Sequence, residues 1–159
     1  MIREGEKMIA VIQRVSKAAV HVNNELVGSC AHGLLVLLGV AEGDNDDDAR
    51  VLAKKIINLR IFSDENDKMN LSVKDVGGEM LVVSNFTLLA NYRKGNRPDY
   101  LNSASPSEAN RLYEFFTGLV REEISSVGTG MFGEHMEVSM VGDGPVTLVL
   151  DSKVLLNKN

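Results

Sequence analysis

Ser84, Asn85 and Thr87 stand directly after an unbroken apolar run, Met80-Leu81-Val82-Val83. Such a run makes a strand buried on both faces. Three hydrogen-bonding side chains at its end cost free energy unless partners satisfy them. Two accounts fit. Ser and Asn cap turns, and Thr is at home in strands; on residue types alone this structural account is the stronger. The chemical account is a hydrolytic site resting on a hydroxyl, on positioned backbone N–H groups, or on the substrate's own groups. A second stretch, Gly142-Asp143-Gly144-Pro145-Val146-Thr147, lies between two further apolar runs. Its Gly-Pro pair reads as a rigid turn, open to a cis bond.

The other chemistry-bearing residues narrow the choice. Arg93, Lys94 and Arg97 share a polar loop, residues 91–104, and are the one positive cluster near the central stretch. They are either a solvated surface or contacts for phosphate. His21, His32 and His135 lack metal-ligand spacing, so neither a metal nor a cofactor is expected. Cys30 and His32 would share one face of a strand, but a small buried Cys beside a turn histidine is the simpler account. Asp64, Glu65 and Asp67 lack the calcium-loop pattern of alternating acids, a Gly and a closing Glu. No Walker loop, dinucleotide fingerprint or Gly-x-Ser-x-Gly elbow is present. An enzyme built from this chain lacks the usual side-chain base, which places a Thr87 or Ser84 peptidase or esterase last.

Elements must position these residues. Residues 8–15 and 18–22 read as strands, and Asn23-Asn24 turns the second into a hairpin with 25–29. Gly33 to Val40 is a buried central strand. The acidic run Asp44–Asp48 suits a helix N-terminus, and apolar residues at helical spacing extend that helix over 46–59. Ile61-Phe62 is a short strand, and 80–88 is the strand that carries Ser84, Asn85, Phe86 and Thr87. Ser105-Pro106-Ser107-Glu108 is a capping box for a second helix, which Gly128 stops. Residues 136–141 and 146–150 are strands on either side of the Gly-Pro turn. The fold class is α+β: a single domain, largely antiparallel β-sheets with two main helices.

With 159 residues, 44% hydrophobic and 25% charged, the chain suits one soluble domain with a real core. One cysteine excludes an intrachain disulfide and suits a cytoplasmic location. The longest apolar run, Leu34–Leu38, is too short to span a membrane. Residues 1–7 read as an N-terminal extension and not as a signal peptide, 8–151 as the domain, and 152–159 as a flexible tail. A net charge of −5 argues against charge-driven binding to DNA or to RNA at large, though not against gripping one RNA end.

In order and spacing, several segments carry a resemblance. They are Ala10-Val11-Ile12-Gln13-Arg14-Val15, Gly33 to Val40, Arg60-Ile61-Phe62-Ser63-Asp64 and Lys68-Met69-Asn70-Leu71. Ser84-Asn85-Phe86-Thr87-Leu88, Arg97-Pro98, Ala104-Ser105-Pro106, Thr129-Gly130-Met131-Phe132 and Gly144-Pro145-Val146-Thr147 complete the set. Over nearly all of 8–150 the chain resembles the D-aminoacyl-tRNA deacylases of the bacterial and eukaryotic type. It departs from them at Asn85, where the family has Gln, and at Gly142, where it has Asn. The resemblance implies a homodimer that hydrolyses the ester joining a D-amino acid to the 3′ end of tRNA, and that also removes glycine. It implies a cis Gly144-Pro145 reaching into the partner's pocket to exclude L side chains. Backbone N–H groups of Phe86 and Thr87 would meet the oxyanion, Ser84 and Asn85 would line the same wall, and the ribose 2′-OH would assist. A dimeric RNA-end-binding module of the same fold, with little or no activity, is the competing reading.

Overall fold

The computed structural model describes residues 7–157; the expected extension, apart from Lys7, lies outside them, as do the last two residues of the tail. Strand β1, Ile9–Val22, pairs with β2, Glu25–Cys30, through a two-residue turn. Asn23 and Asn24 take φ of 50° and 65° there, a left-handed pair that Asn tolerates and that matches strand twist. The two strands expected at 8–15 and 18–22 are one: shifts of register between Gln13 and Lys17 bend it without breaking it. Next come β3 (Gly33–Gly39), α1 (Asp46–Asn58), a small hairpin of β4 (Phe62–Ser63) and β5 (Met69–Leu71), and β6 (Glu79–Ser84). The chain continues through α2 (Pro106–Arg121), β7 (Val127–Thr129), β8 (Glu137–Asp151) and α3 (Ser152–Leu156).

The main sheet is organised on β1. One edge pairs antiparallel with β8 along almost its whole length; the other pairs with β3 and then β2. Beyond β3 the order continues to β6 and β7, both parallel, with α1 and α2 on the crossovers. The fold is therefore α+β and mostly antiparallel, with one parallel segment that carries the site. Alternation along β3 and β6 splits the core. Leu34, Val36, Leu38, Met80 and Val82 pack against the helices. Leu35, Leu81 and Val83 face a second cluster with Val15, Ala18, Val20 and Cys30. The sheet curls to close that side. A Cβ on Gly28 would lie 2.0 Å from the Thr129 carbonyl oxygen, so β2 runs in backbone contact with β7.

Each helix follows its sequence. Asn45 caps α1, its side chain accepting from Asp47 N–H, while Asp48 reaches back to Asn45 N–H in a capping box. Ser105 caps α2 by accepting from Glu108 N–H at 3.4 Å. The other half of that box is missing, because the Glu108 carboxylate pairs with Arg111. Gly128 is not the stop of α2; the helix ends at Arg121, and Gly128 sits inside β7. In place of the expected flexible tail, Ser152–Leu156 form α3. Asp151 caps it, and the buried Ser152 hydroxyl donates to the buried Asp48 carboxylate at 2.7 Å. That bond to α1 is a tertiary contact that tail composition does not show. No helix among the described residues is long and apolar enough to cross a membrane.

Candidate active site

The strand expected over 80–88 stops at Ser84. Asn85 N–H donates to Leu38 O at 2.8 Å, the last bond of the β3–β6 ladder. Leu89 then decides the path. It is fully buried with Ile9 and Ala41, and a Cβ on Gly39 would meet its Cδ2 at 2.6 Å. Reaching that socket folds Phe86–Leu89 into a 3₁₀ turn. The first amides of such a turn have no partner within it. Leu88 N–H donates to Asn85 O, whereas the Phe86 and Thr87 amides have no protein acceptor among the described residues. Tyr113, on α2, fixes the strand just upstream. Its hydroxyl donates to Val82 O at 2.7 Å, and burial pushes its pKa up to about 12.

Ser84, Asn85 and Phe86 line a cleft of about 500 Å³ between the end of β6, the start of α2 and the segment before β8. Phe86, Tyr100, Phe132 and Met136 make apolar walls. Phe86 is 54% exposed and meets Tyr100 edge to face, ring centroids 4.9 Å apart. Thr87 does not line the cleft; its hydroxyl donates to the Asn85 side-chain oxygen at 2.5 Å. Among the described residues no histidine lines it either, and Glu134 is the one carboxylate that does. Reasoning from sequence misses Tyr100, Met136 and Glu134. Single residues on loops carry no periodicity, so only the fold gathers them. Among the described residues no three His, Cys, Asp or Glu side chains are grouped to hold a metal.

Gly144 and Pro145 are exposed and lie outside their own chain's cleft. The peptide between them is cis. They form no turn between two strands but an outward bulge within β8: Val15 faces Gly142 and Gln13 faces Thr147, so five steps along β8 span two along β1. Arg14 clamps this bulge. Its Nε donates to Asp143 O at 2.8 Å and lies 3.2 Å from the Asp143 carboxylate, while Nη1 donates to Ile61 O at 2.8 Å. His32 Nε2 sits 3.3 Å from the same carboxylate, its ring edge-on to Phe62. His32 is thus engaged away from Cys30. Burial, with Glu79 adding, pushes the Cys30 thiol up to about 11, so it is no thiolate nucleophile at neutral pH.

Arg93, Lys94 and Arg97 are exposed in the loop that precedes Tyr100, and none makes an ion pair among the described residues. Reciprocal backbone bonds between Asn91 and Asp99, 2.8 and 2.9 Å, pin the base of that loop at the cleft's edge.

A small α+β domain that ends a parallel strand in free backbone amides beside an apolar cleft has the parts to stabilise an acyl oxyanion without a metal. The sequence profile of the family described as D-Tyr-tRNA(Tyr) deacylase matches residues 11–151, and this chain belongs to that family. It is 57% identical over 150 residues to the D-aminoacyl-tRNA deacylase of Dehalococcoides mccartyi, covering 94% of this chain and 98% of that one. It is 58% identical over 146 residues to the enzyme of the same name from Thermosipho africanus, covering 92% and 98%. Among solved structures, a c-Myc DNA unwinding element binding protein superposes with a TM-score of 0.85 at 37% identity, over 90% of this chain and 97% of that one. A probable eukaryotic D-amino acid tRNA deacylase superposes at 0.79 and 17% identity, which speaks for the fold alone.

Proposed function

We propose that this chain is an editing hydrolase that cleaves the ester between a D-amino acid and the 3′-terminal adenosine of tRNA. The products are the free amino acid and tRNA. The observation that carries the reading is the pair of amides at Phe86 and Thr87, without a protein acceptor among the described residues, in the turn that begins at cleft-lining Phe86. Water adds to the ester carbonyl carbon, and the two N–H groups take the developing oxyanion. The 3′ oxygen then leaves with a proton, and the ribose 2′-OH beside it is the group placed to assist. Ser84 and Asn85 shape the wall.

The chain works as a cytoplasmic homodimer. Gly144 and Pro145, exposed on a clamped bulge and absent from their own cleft, enter the partner's. Their backbone faces the substrate's α-carbon and leaves no room for an L side chain. Rejection by crowding cannot exclude glycine, so glycyl-tRNA is also hydrolysed. Arg97, Lys94 and Arg93 hold the terminal phosphates, a local grip in keeping with a net charge of −5, and the ribose that carries the ester makes the partner an RNA end and not DNA.

The test is hydrolysis of D-Tyr-tRNA against L-Tyr-tRNA by the wild type and by Gly144→Ala. A Cβ at 144 would lie 2.1 Å from Val146 N, so the variant must displace the bulge. Turnover of the D ester alone by the wild type, with selectivity or rate lost in the variant, supports the reading. No turnover of either ester by an intact wild-type dimer overturns it, and the RNA-end-binding reading replaces it.

A further inference from the structure

Tyr92 has no role in the chemistry above and is 79% exposed, on the loop that leads to cleft-lining Tyr100. It follows Asn91 directly, and Asn91 is paired with Asp99, the neighbour of cleft-lining Tyr100. Directly opposed residues of an antiparallel pair share a face and side chains alternate along each strand, which assigns Tyr92 and Tyr100 to the same face of the bridge. Tyr92 therefore lies on the same face as Tyr100, two positions farther toward the tip of the loop that Tyr100 joins to the cleft. The next residues are Arg93, Lys94 and Arg97, three exposed cations without an ion pair among the described residues, arranged about the turn at Gly95 (φ 62°). Cations interleaved with an exposed ring are the parts with which proteins hold single-stranded nucleic acid: charge follows the backbone and the ring stacks on a base.

We propose that Tyr92 is a stacking platform for the unpaired base that precedes the terminal adenosine of the RNA. The proposal rests on the deacylase reading for the direction of the strand, since the ester in the cleft fixes where the preceding nucleotide leaves. Stacking is tolerant of base identity, so this contact positions the 3′ end without selecting among tRNAs. Its effect falls on capture of the whole RNA, not on the ester's chemistry.

The experiment compares two substrates, D-tyrosyl-tRNA and 3′-O-(D-tyrosyl)adenosine, which lacks the preceding nucleotide. For Tyr92→Ala we expect KM for the tRNA to rise about tenfold with kcat kept, no change on the adenosine ester, and recovery in Tyr92→Phe. Equal effects on both substrates, or none on the tRNA, overturn the proposal. Anisotropy with a fluorescent, uncharged RNA hairpin ending in an unpaired CCA separates this from the reading beneath it. If the wild type turns over neither ester, the deacylase reading falls. Weaker hairpin binding by Tyr92→Ala then still supports the platform, and unchanged binding overturns it.

Discussion

The Thr87 hydroxyl donates a hydrogen bond to the side-chain oxygen of Asn85, two residues back. An amide oxygen accepts a hydrogen bond but does not take up a proton near neutral pH, so this bond orients Thr87 without activating it. Asn85 does so because its short side chain folds back onto its own turn. A nucleophilic Thr87 would lose about 10⁴-fold or more on deletion of its oxygen. We expect Thr87→Val to lower kcat/KM for D-Tyr-tRNA by no more than about tenfold, the effect of removing one orienting hydrogen bond. A 10⁴-fold loss with the fold intact would assign the hydroxyl to catalysis.

Glu134 is the one carboxylate lining the cleft among the described residues, and it is exposed at the segment before β8. A general base there would give a pH–rate profile that Glu134→Gln abolishes. The backbone mechanism expects otherwise: kcat for the glutamine variant stays within about threefold, and its profile keeps its shape. Loss of the acidic limb in the variant would move the proton transfer onto this side chain.

Arg14 ties the Gly144-Pro145 bulge to the segment entering β4, donating to Asp143 O and to Ile61 O while only 13% exposed. Charge-assisted bonds of this kind are stronger than neutral ones. Arg14→Ala should cost about 1–3 kcal/mol of stability. Its more telling effect is on selectivity: with the bulge released, L-Tyr-tRNA becomes a substrate while the D ester remains one. Unchanged D/L discrimination would show that the bulge keeps its shape without the clamp.

Asp44 gives a pH dependence to stability. It is buried, 6% exposed; its Oδ2 accepts Ala41 N–H at 2.7 Å and its Oδ1 has no partner among the described residues. Burial raises its pKa from 3.8 to about 7, the Ala41 bond opposing. The folded state thus favours the protonated acid, whereas the unfolded chain ionises at the ordinary value. The stabilisation is full below pH 3.8 and is lost as pH rises through about 7. Asp44→Asn, which keeps the acceptor and cannot ionise, should raise the melting temperature at pH 8, corresponding to about 1–3 kcal/mol, and much less at about pH 4.5. A gain independent of pH would place the carboxylate's cost elsewhere.

Arg97 and Lys94 stand exposed beside the cleft's edge. Replacing both with Gln should raise KM for D-Tyr-tRNA, leave kcat in place, and reduce the salt slope by about one for each phosphate no longer neutralised. Unchanged kinetics would return the loop to plain surface.

Much of the scaffold is legible in the sequence because its signals are local. The continuous apolar runs of β3 and β6, the helical spacing of Leu52, Ile56 and Ile57, and the Asn and Ser caps each act through neighbours a few residues away. The motif at 84–88 and the Gly-Pro pair carry the resemblance to the family together with the other segments, in order and spacing. Local reasoning fails where a distant partner decides. Residues 80–88 read as one strand because apolar content continues past Ser84; burial of Leu89 beside Ile9, Ala41 and Gly39 bends the chain there. Glu108 leaves its capping box for Arg111, and the tail is a helix because Ser152 meets Asp48 across 104 positions.

Side-chain type and short-range period were enough for the α+β class, the two main helices and the set of chemical candidates; the resemblance to the family rested on motifs in order along the chain. Which of those candidates meet was settled by the folded chain alone. Folding freed the Phe86 and Thr87 amides and turned the Thr87 hydroxyl toward Asn85. It drew His32 away from Cys30 to Asp143, and it set Tyr100 and Glu134 beside Ser84. Hydrogen bonds and packing between residues far apart in the chain make those choices, and no local pattern encodes a partner's position.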